Sequence, residues 1–317
     1  MKILFTGASS FTGFWFVKTL AAAGHEIICP VTGELEHYAD VRRLRVEKLK
    51  PLCRFVGHAP FGSENFLKAI RENHFDLLCH HAAEVRNYKS PDFDASRALH
   101  HNTLNLRGVL AAMKPRGLKA VILTGTVFEP DEGTGLPHQS GTTAGDEPLR
   151  AFSPYGLSKG MTFQFFRLCC YDAGVPLAKF VIPNPFGPFE EARFTAYLMR
   201  NWREGKPAGV KTPEYLRDNI HVDLLAAVYS QFVGQAATQK GGFIKINPSG
   251  YVEKQGAFAQ HVAREVRART GWACELELAK QEDFSEPLNR ANTEPAAKLI
   301  PEWSEGAAWD SFVAFYK

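Results

Sequence analysis

Tyr155 and Lys159 are the residues whose types and spacing point most directly to chemistry. They lie four residues apart in the run SPYGLSK, which begins at residue 153. On a helix, residues at this spacing share one face. An ammonium group beside a phenol favours the phenolate, so Lys159 is expected to lower the pKa of Tyr155. A tyrosine tuned in this way can exchange a proton with a substrate oxygen near neutral pH.

The N-terminal segment MKILFTGASSFTG carries a second motif, which reads as a strand, a tight glycine turn and the start of a helix. Gly7 permits the bend, and Gly13 permits close packing of the helix. The start of the helix offers N–H groups and a positive dipole to a pyrophosphate. A nucleotide-binding turn followed by a Tyr/Lys pair arises by chance far more rarely than either motif alone.

The end of the second predicted strand bears on which dinucleotide is expected. Residues 29–33, CPVTG, include no acidic side chain that could bind the ribose 2′-hydroxyl of NAD, and Glu34 comes slightly late. A neutral strand end leaves room for a 2′-phosphate, which Thr32 or one of Arg42 and Arg43 could contact. We therefore expect NADP or NAD, with a slight preference for NADP.

Size and composition set the broad class of the protein. The 317 residues, 45% of them hydrophobic and 22% charged, fit a globular protein with one large or two modest domains. No apolar run is long enough to span a bilayer, and the chain enters a strand at once, so a cytoplasmic location is expected. The net charge of +3 does not indicate a nucleic-acid partner.

The cysteines, the adjacent histidine pairs and one arginine cluster are interpreted as structural or surface features. The six cysteines lack metal or redox spacing and are expected to be buried and reduced. The pairs at 80–81 and 100–101 are adjacent histidines, which point apart on a strand or helix, so no metal site is expected. The cluster Arg42, Arg43 and Arg45 is expected to form a solvated helix face.

Strands and helices alternate over the first part of the chain, which predicts an α/β fold with a doubly wound parallel sheet, a Rossmann fold. The predicted strands are 2–6, 26–31, 53–56, 77–81, 120–124 and 178–182. The predicted helices are 12–23, 63–73, 93–113 and 154–173. Proline and glycine become frequent after residue 183, which predicts a smaller, irregular C-terminal substrate lobe. We expect the Rossmann domain to comprise residues 1–182 and 216–247, and the lobe 183–215 and 248–317.

Six segments together resemble the extended short-chain dehydrogenase/reductases of the NAD(P)-dependent epimerase/dehydratase type. They are TGASSFTG from residue 6, HAA from 81, Asn102, TGTVF from 124, PNPFGP from 183 and RDNIHVD from 217, in addition to the Tyr/Lys pair. The resemblance covers residues 2 to about 247. It implies catalysis by Tyr155, Lys159, Thr124 and Asn102. It implies cofactor binding by Gly7, Ser9, Ser10, Phe11, Thr12, Gly13, Thr32, Ala82, Ala83, Tyr155, Lys159 and Pro183.

The resemblance also implies a substrate site formed by Glu84, Thr126, Asn184 and Arg217. Thr124 would hydrogen-bond the reacting oxygen, and Thr126 is the alternative if the loop shifts by two residues. Arg217 would hold the diphosphate of a nucleotide sugar, or else form a structural salt bridge with Asp218 or Asp223.

The expected activity is hydride transfer at a carbinol or ketone carbon of a nucleotide-activated sugar, by a 4-epimerase or a 4-keto reductase. A dehydratase is disfavoured because Gly125 and Thr126 stand where an acidic pair would follow Thr124. The acidic residues at 129, 131 and 132 are expected in a surface loop. Two alternatives are reduction of a non-nucleotide aldehyde or ketone, and a non-catalytic cofactor-binding sensor.

A homodimer is expected because the helix predicted at 154–173 is apolar on more than one side. One side can lie on the sheet, and the other needs a partner. Phe163, Phe166 or Tyr171 would lie near the interface, and the alternative is that the C-terminal tail covers that side.

Overall fold

The computed structural model describes residues 1–134 and 151–317. Its strands are β1 (Lys2–Thr6), β2 (Glu26–Pro30), β3 (Arg54–Val56), β4 (Leu77–His80), β5 (Ala120–Thr126), β6 (Leu177–Ile182), β7 (Asn184–Phe186), β8 (Ala208–Val210), β9 (Leu216–His221), β10 (Phe243–Ile246), β11 (Pro248–Ser249), β12 (Tyr251–Lys254), β13 (Leu276–Leu278), β14 (Asn289–Arg290) and β15 (Glu294–Pro295).

The α-helices lie between and after these strands. They are α1 (Phe11–Ala22), α2 (Asp40–Leu49), α3 (Glu64–Arg71), α4 (Ala95–Thr103), α5 (Leu106–Met113), α6 (Pro154–Ala173), α7 (Phe194–Arg203), α8 (Val222–Thr238), α9 (Gln255–Thr270), α10 (Ala296–Leu299) and α11 (Glu305–Tyr316).

The central sheet has seven parallel strands in the order β10-β6-β5-β4-β1-β2-β3. The five inner strands are short, mostly apolar runs that are largely buried, as helices on each side of a parallel sheet require, whereas the edge strands β3 and β10 are partly exposed. One face packs on α1 and α8 through residues such as Ile122, and the other packs on α3, α5 and α6 through residues such as Val121. The predicted Rossmann fold is confirmed, and the carboxyl ends of β1, β4 and β5 lie side by side.

One predicted helix, 93–113, is wrong because the chain breaks it into α4 and α5. Asn105 adopts the left-handed conformation with φ 50°, which asparagine tolerates better than most residues. The break follows from a close tertiary approach: a Cβ atom on Gly62 would lie 1.8 Å from the carbonyl oxygen of Leu104. A local pattern does not reveal a contact of this kind.

A second group of elements forms the C-terminal part. A four-stranded sheet joins β12, β9 and β14 in that order, with β7 also pairing with β9. Helices α7, α9 and α11 enclose a separate apolar core around Trp309 and Phe258. The division into domains at the boundaries given above stays a prediction.

The structure bears on two expectations about the chain, namely the state of its cysteines and the length of its apolar runs. All six cysteines are thiols, and all but Cys53 are buried. Among the described residues, no helix has both the length and the apolar character that crossing a membrane requires.

Candidate active site

The glycine turn after β1 has the tight geometry that its sequence predicts. Gly7 has a φ of 82°, and a Cβ atom there would lie 2.8 Å from the backbone nitrogen of Ala82. A Cβ atom on Gly13 would lie 2.2 Å from the carbonyl oxygen of Gly7. Ser10 caps α1 by accepting a hydrogen bond from the Gly13 amide at 3.1 Å. The first amides of α1, at Phe11 and Thr12, have no intrahelical acceptor, so the turn fits a dinucleotide pyrophosphate.

Two charged residues that follow β2, Glu34 and Arg42, each have a partner in the structure. Arg42 donates to Ser9 Oγ from Nε at 3.0 Å and from Nη2 at 2.8 Å, and its guanidinium lies 4.4 Å from the centroid of Tyr38. Glu34 Oε1 lies 2.5 Å from His58 Nε2. The structure therefore brings Arg42 to the glycine turn after β1, the expected cofactor turn, and Thr32 after β2 is exposed.

Arg45 corrects the prediction of a solvated basic face, because its side chain is fully buried. Its Nη1 donates to Glu191 Oε1 at 2.6 Å and to the carbonyl oxygen of Ser9 at 3.2 Å, and Nε donates to the carbonyl oxygen of Phe189 at 2.9 Å. Burial lowers the pKa of Arg45. The residue joins the cofactor turn to the segment that follows β7.

Tyr155 lies in the first turn of α6, which Ser153 caps by accepting from the Gly156 amide at 3.1 Å. Its ring contacts Tyr88 and Phe128, with centroids 5.2 and 5.9 Å away. Desolvation among these rings raises the pKa of Tyr155, and the charge of Glu129 adds to the effect. The predicted lowering of this pKa is therefore wrong for the protein alone.

The hydrogen bond of Lys159 explains why its ammonium does not lower the pKa of Tyr155. Its Nζ donates to the backbone carbonyl oxygen of Thr124 at 2.7 Å, on the strand under the helix. Burial lowers the pKa of Lys159 to about 8. The ammonium thus points to the end of β5. Lys159 follows Tyr155 by about one turn of α6.

His81 joins the end of β5 to the cofactor turn. Its Nδ1 lies 3.1 Å from Thr124 Oγ1, and its Nε2 lies 3.1 Å from Ser10 Oγ and 3.0 Å from Thr12 Oγ1. Burial lowers the pKa of His81 to about 3. The sequence analysis named His81 in the adjacent histidine pair at 80–81 and in the HAA segment, but it gave this side chain no role in the site.

Asn102 holds the segment after β4 against α6. Its Oδ1 accepts from the Glu84 amide at 2.9 Å, and its Nδ2 donates to Thr162 Oγ1 at 3.3 Å. Glu84 Oε2 also lies 3.6 Å from His101 Nδ1. The side chain of Asn102 thus forms hydrogen bonds with the backbone after β4 and with α6, and not with Tyr155 or Lys159.

Two of the three acidic residues after β5 correct the prediction of a surface loop, whereas Asp131 is exposed as predicted. Glu129 is buried and the side chain of Glu132 is 7% exposed, and Lys179 Nζ lies 2.7 Å from Glu129 Oε2 and 2.8 Å from Glu132 Oε1. Glu129 Oε1 also accepts from the Thr126 amide at 2.8 Å. The Glu129 carboxylate is therefore engaged within the protein while it lies beside the site.

Two arginines from neighbouring strands share one carboxylate. Arg290 in β14 is the register partner of Arg217 in β9, and their Nη2 atoms lie 3.1 and 3.0 Å from Glu286 Oε2. Glu286, and not Asp218 or Asp223, is thus the acidic partner of Arg217. The Arg290 guanidinium lies 4.0 Å from the centroid of Phe128, and burial lowers the pKa of Arg290 to about 10.

The sequence analysis did not identify Arg290 because this residue lies in the irregular C-terminal part of the chain. Within the described ranges, its buried Nε and Nη1 atoms have no hydrogen-bond partner. It borders a cavity of about 320 Å³ whose lining also includes Glu129, Glu132 and Phe152. Arg290 thus brings hydrogen-bond donors to a cavity that three carboxylates also line, and Arg217 lies on the neighbouring strand outside that lining.

Pro183 and Asn184 lie where β6 passes into β7. Pro183 is buried, and Asn184 pairs with Asn219 across β7 and β9. Asn184 Nδ2 is buried without a hydrogen-bond partner in the described part of the chain. The segment brings a polar side chain close to the strand that carries Arg217.

Comparisons with known proteins identify structures that share this fold. A UDP-glucuronic acid 4-epimerase variant from Bacillus cereus, in complex with UDP-4-deoxy-4-fluoro-glucuronic acid and NAD, has a similar structure, with a TM-score of 0.73 at 18% identity over 100% of this chain and 99% of that chain. A UDP-glucose 4-epimerase from Bifidobacterium longum, in complex with NAD+ and UDP, gives a TM-score of 0.72 at 19% identity over 99% of this chain and 98% of that chain.

A dTDP-glucose 4,6-dehydratase from Streptomyces venezuelae with NAD bound gives a TM-score of 0.70 at 19% identity over 100% of this chain and 97% of that chain. At these identities the structures establish the common fold. The model of the NAD dependent epimerase/dehydratase family matches residues 3–246, which confirms the resemblance found in the sequence motifs. The chain belongs to the NAD dependent epimerase/dehydratase family.

Proposed function

We propose that this protein is an NAD(P)-dependent oxidoreductase that transfers a hydride at a carbinol or ketone carbon of a nucleotide-activated sugar, as a 4-epimerase or a 4-keto reductase. One observation carries the proposal: the ring of Phe128 contacts both Tyr155 and Arg290. An arginine able to bind phosphate thus lies one aromatic ring away from a tyrosine able to transfer a proton. A diphosphate beside Arg217 and Arg290 would extend its sugar toward Tyr155.

In this proposal Tyr155 is the general acid or base at the reacting oxygen. Its raised pKa keeps the phenol protonated in the protein alone, the form that donates a proton to a ketone oxygen. The nicotinamide supplies the hydride acceptor or donor, and its oxidised form adds a positive charge. Lys159 would hold the nicotinamide ribose, and the charge of the oxidised nicotinamide would be the new contribution that favours the phenolate needed for oxidation.

The remaining side chains hold the cofactor and substrate. Thr124 and Thr126 place hydroxyl groups at the end of β5, where the reacting oxygen would lie. Asn102 is a positioning residue, because it bonds the segment after β4 to α6. Glu84 and Asn184 offer hydrogen bonds to the sugar or its diphosphate. The nucleotide-sugar complexes of the structural relatives support this substrate class.

The proposed cofactor is NADP or NAD, with a slight preference for NADP. The position of Arg42 on Ser9 supports a site for the 2′-phosphate, because an arginine fork binds phosphate in a bidentate manner. The engagement of Glu34 with His58 also supports it, because this carboxylate has a partner other than a ribose. The NAD complexes of relatives support the alternative.

We further infer a homodimer that buries one side of α6. Leu157, Met161, Phe165, Leu168 and Tyr171 are exposed on this helix. The tail helices α10 and α11 pack instead on α8, and on α7 and α9. Phe166 is excluded from the predicted interface because its side chain is fully buried in the sheet-facing core, whereas Tyr171 is 85% exposed.

The activity can be tested directly with purified protein. Incubation with NAD+ or NADP+ and a panel of UDP- and dTDP-sugars, followed by chromatography of the products, detects an epimer. Incubation of the corresponding UDP- and dTDP-linked 4-keto sugars with NADH or NADPH detects a reductase by loss of reduced cofactor. Non-nucleotide aldehydes and ketones serve as the comparison, and turnover of these alone would contradict the proposed substrate class.

A further inference from the structure

The imidazole of His81 stands between the cofactor turn and the catalytic strand end, and its hydrogen bonds determine its tautomer. Ser10 Oγ donates its single hydrogen to the Gly7 carbonyl oxygen at 2.9 Å and accepts from the Gly13 amide at 3.1 Å. Toward His81 this hydroxyl can only accept, so His81 Nε2 carries the hydrogen. Thr12 Oγ1, 3.0 Å from Nε2, can accept the same hydrogen.

The other ring nitrogen of His81 must then be an acceptor. The ring is desolvated between Phe5 and Phe16, whose centroids lie 5.7 and 5.3 Å away, and Lys159 adds a positive charge nearby. Both conditions oppose a second proton, so the imidazole is neutral near pH 7. Nδ1, 3.1 Å from Thr124 Oγ1, therefore accepts the hydroxyl hydrogen of Thr124.

The geometry points to a role for His81 as a positioning residue: it directs the Thr124 hydroxyl hydrogen away from the substrate and fixes the cofactor turn through Ser10 and Thr12. The inference rests on the proposed function, since it places the dinucleotide at this turn and the substrate beside Thr124. Thr124 Oγ1, which also contacts the buried Tyr229 hydroxyl, then has no hydrogen to donate to the substrate. It accepts a hydrogen bond from the substrate alcohol, and the donor to a ketone oxygen is another group, such as Tyr155.

Two amide substitutions separate the hydrogen bond of His81 Nδ1 from those of Nε2. His81→Asn places an amide near the position of Nδ1 and keeps a contact with Thr124, whereas His81→Gln places it near Nε2 and keeps a contact with Ser10 and Thr12. We expect the Asn variant to bind NAD+ or NADP+ about fivefold more weakly in calorimetry, the size of one lost hydrogen bond, with kcat nearly unchanged. The Gln variant should retain affinity and lose about fivefold in kcat.

A double-mutant cycle tests whether His81 acts through Thr124. Thr124→Val removes the hydroxyl, so the kcat loss caused by His81→Gln should disappear in that background. An equal loss with and without the hydroxyl would overturn the inference. Equal dinucleotide affinity in the Asn and Gln variants, with only the unfolding temperature lowered, would also overturn it, because that pattern indicates a structural role.

The tautomer can be read in the intact protein without any turnover. In protein labelled with ¹⁵N-histidine, the signals that disappear in His81→Gln belong to His81. We expect Nδ1 to give the shift of an unprotonated nitrogen and Nε2 that of a protonated one, and the reverse assignment would overturn the inference. If this result and the dinucleotide affinities hold while no nucleotide sugar reacts, the proposed function fails and the role of His81 at the turn stands.

Discussion

The Nζ atom of Lys159 lies 2.7 Å from the backbone carbonyl oxygen of Thr124, which ties the helix of the Tyr/Lys pair to the strand that ends at the site. The same strand end is bonded through Thr124 Oγ1 to His81, and through His81 to the cofactor turn. Lys159, the end of β5 and the glycine turn are thus joined by hydrogen bonds, and Tyr155 lies next to this network through its place in the first turn of α6.

Arg42 provides a test of cofactor preference. Its guanidinium forms two bonds to Ser9 Oγ and would be the group that meets a 2′-phosphate. We expect Arg42→Ala to weaken NADP+ binding by about tenfold while NAD+ affinity changes little, because a charged hydrogen bond is worth about 1.5–3 kcal/mol. Calorimetric titration of both dinucleotides measures the effect.

Arg43→Ala is the matched control for that experiment, since Arg43 is exposed on the same helix. It should leave both affinities within about twofold. A wild-type protein that binds NAD+ more than about tenfold better than NADP+, about 1.4 kcal/mol, would reject the proposed preference and favour Glu34 as the ribose ligand.

The shared carboxylate of Glu286 predicts an unusual gain of affinity. Arg217 and Arg290 both pair with Glu286 in the protein, so a diphosphate must compete with this carboxylate. We expect Glu286→Gln to bind UDP or dTDP more tightly, and Arg290→Lys and Arg217→Lys each to bind more weakly by about tenfold. Calorimetry with the nucleoside diphosphates measures all three variants.

Glu282→Gln, an exposed carboxylate in the same segment, is the control for the change in net charge. An equal gain of affinity in both glutamine variants would show a general electrostatic effect. No loss in either arginine variant would remove the diphosphate from this place.

Glu190 gives a pH dependence of stability with a definite sign. Burial raises its pKa to about 8 from an ordinary value of 4.5. The folded protein therefore holds a proton that the unfolded chain releases between these values. Stability should fall as the pH rises from about 4.5 to about 8, by up to about 1.4 kcal/mol per pH unit from this group, and then level off. Glu190→Gln should lack this slope in denaturant titrations at several pH values.

Glu191 is the internal comparison, because the net shift of its pKa is opposite. Burial raises that pKa, but the hydrogen bond and charge of Arg45 outweigh burial and lower it. Relative to Glu191→Gln, the wild-type protein should lose stability only as the pH falls below the ordinary range of a glutamate. A difference between wild type and Glu190→Gln that does not change with pH would contradict the assignment for Glu190.

The exposed side of α6 predicts the assembly. We expect the wild-type protein to sediment as a dimer at micromolar concentration and Leu168→Glu to sediment as a monomer, because a buried charge without a partner opposes association. Leu278→Glu, at an exposed leucine on β13, should remain a dimer. A wild-type protein that is strictly monomeric under these conditions would contradict the inferred dimer.

The sequence was sufficient for the sheet and the turn because both depend on local patterns. Short apolar runs mark β1 to β6, and the spacing of Gly7 and Gly13 directly after the first run marks the tight turn. The cap of α6 at Ser153 was likewise readable from the proline that follows it. These features need no knowledge of distant parts of the chain.

The remaining features depend on tertiary contacts that no pattern in the sequence reveals. Arg45 is buried because the segment after β7 supplies Glu191 and a carbonyl oxygen from Phe189. Glu129 is buried because β6 places Lys179 opposite it. The raised pKa of Tyr155 likewise comes from rings and a carboxylate brought together by folding, which outweigh the nearby lysine.

The effect of Tyr155→Phe on hydride transfer to or from a nucleotide sugar tests the central claim most directly. The substitution removes the hydroxyl and keeps the ring that packs on Tyr88 and Phe128. We expect wild-type turnover of an authentic nucleotide sugar, a loss of about two to four orders of magnitude in kcat for the variant, and dinucleotide affinity within about twofold. Turnover by the variant near the wild-type rate would contradict the account.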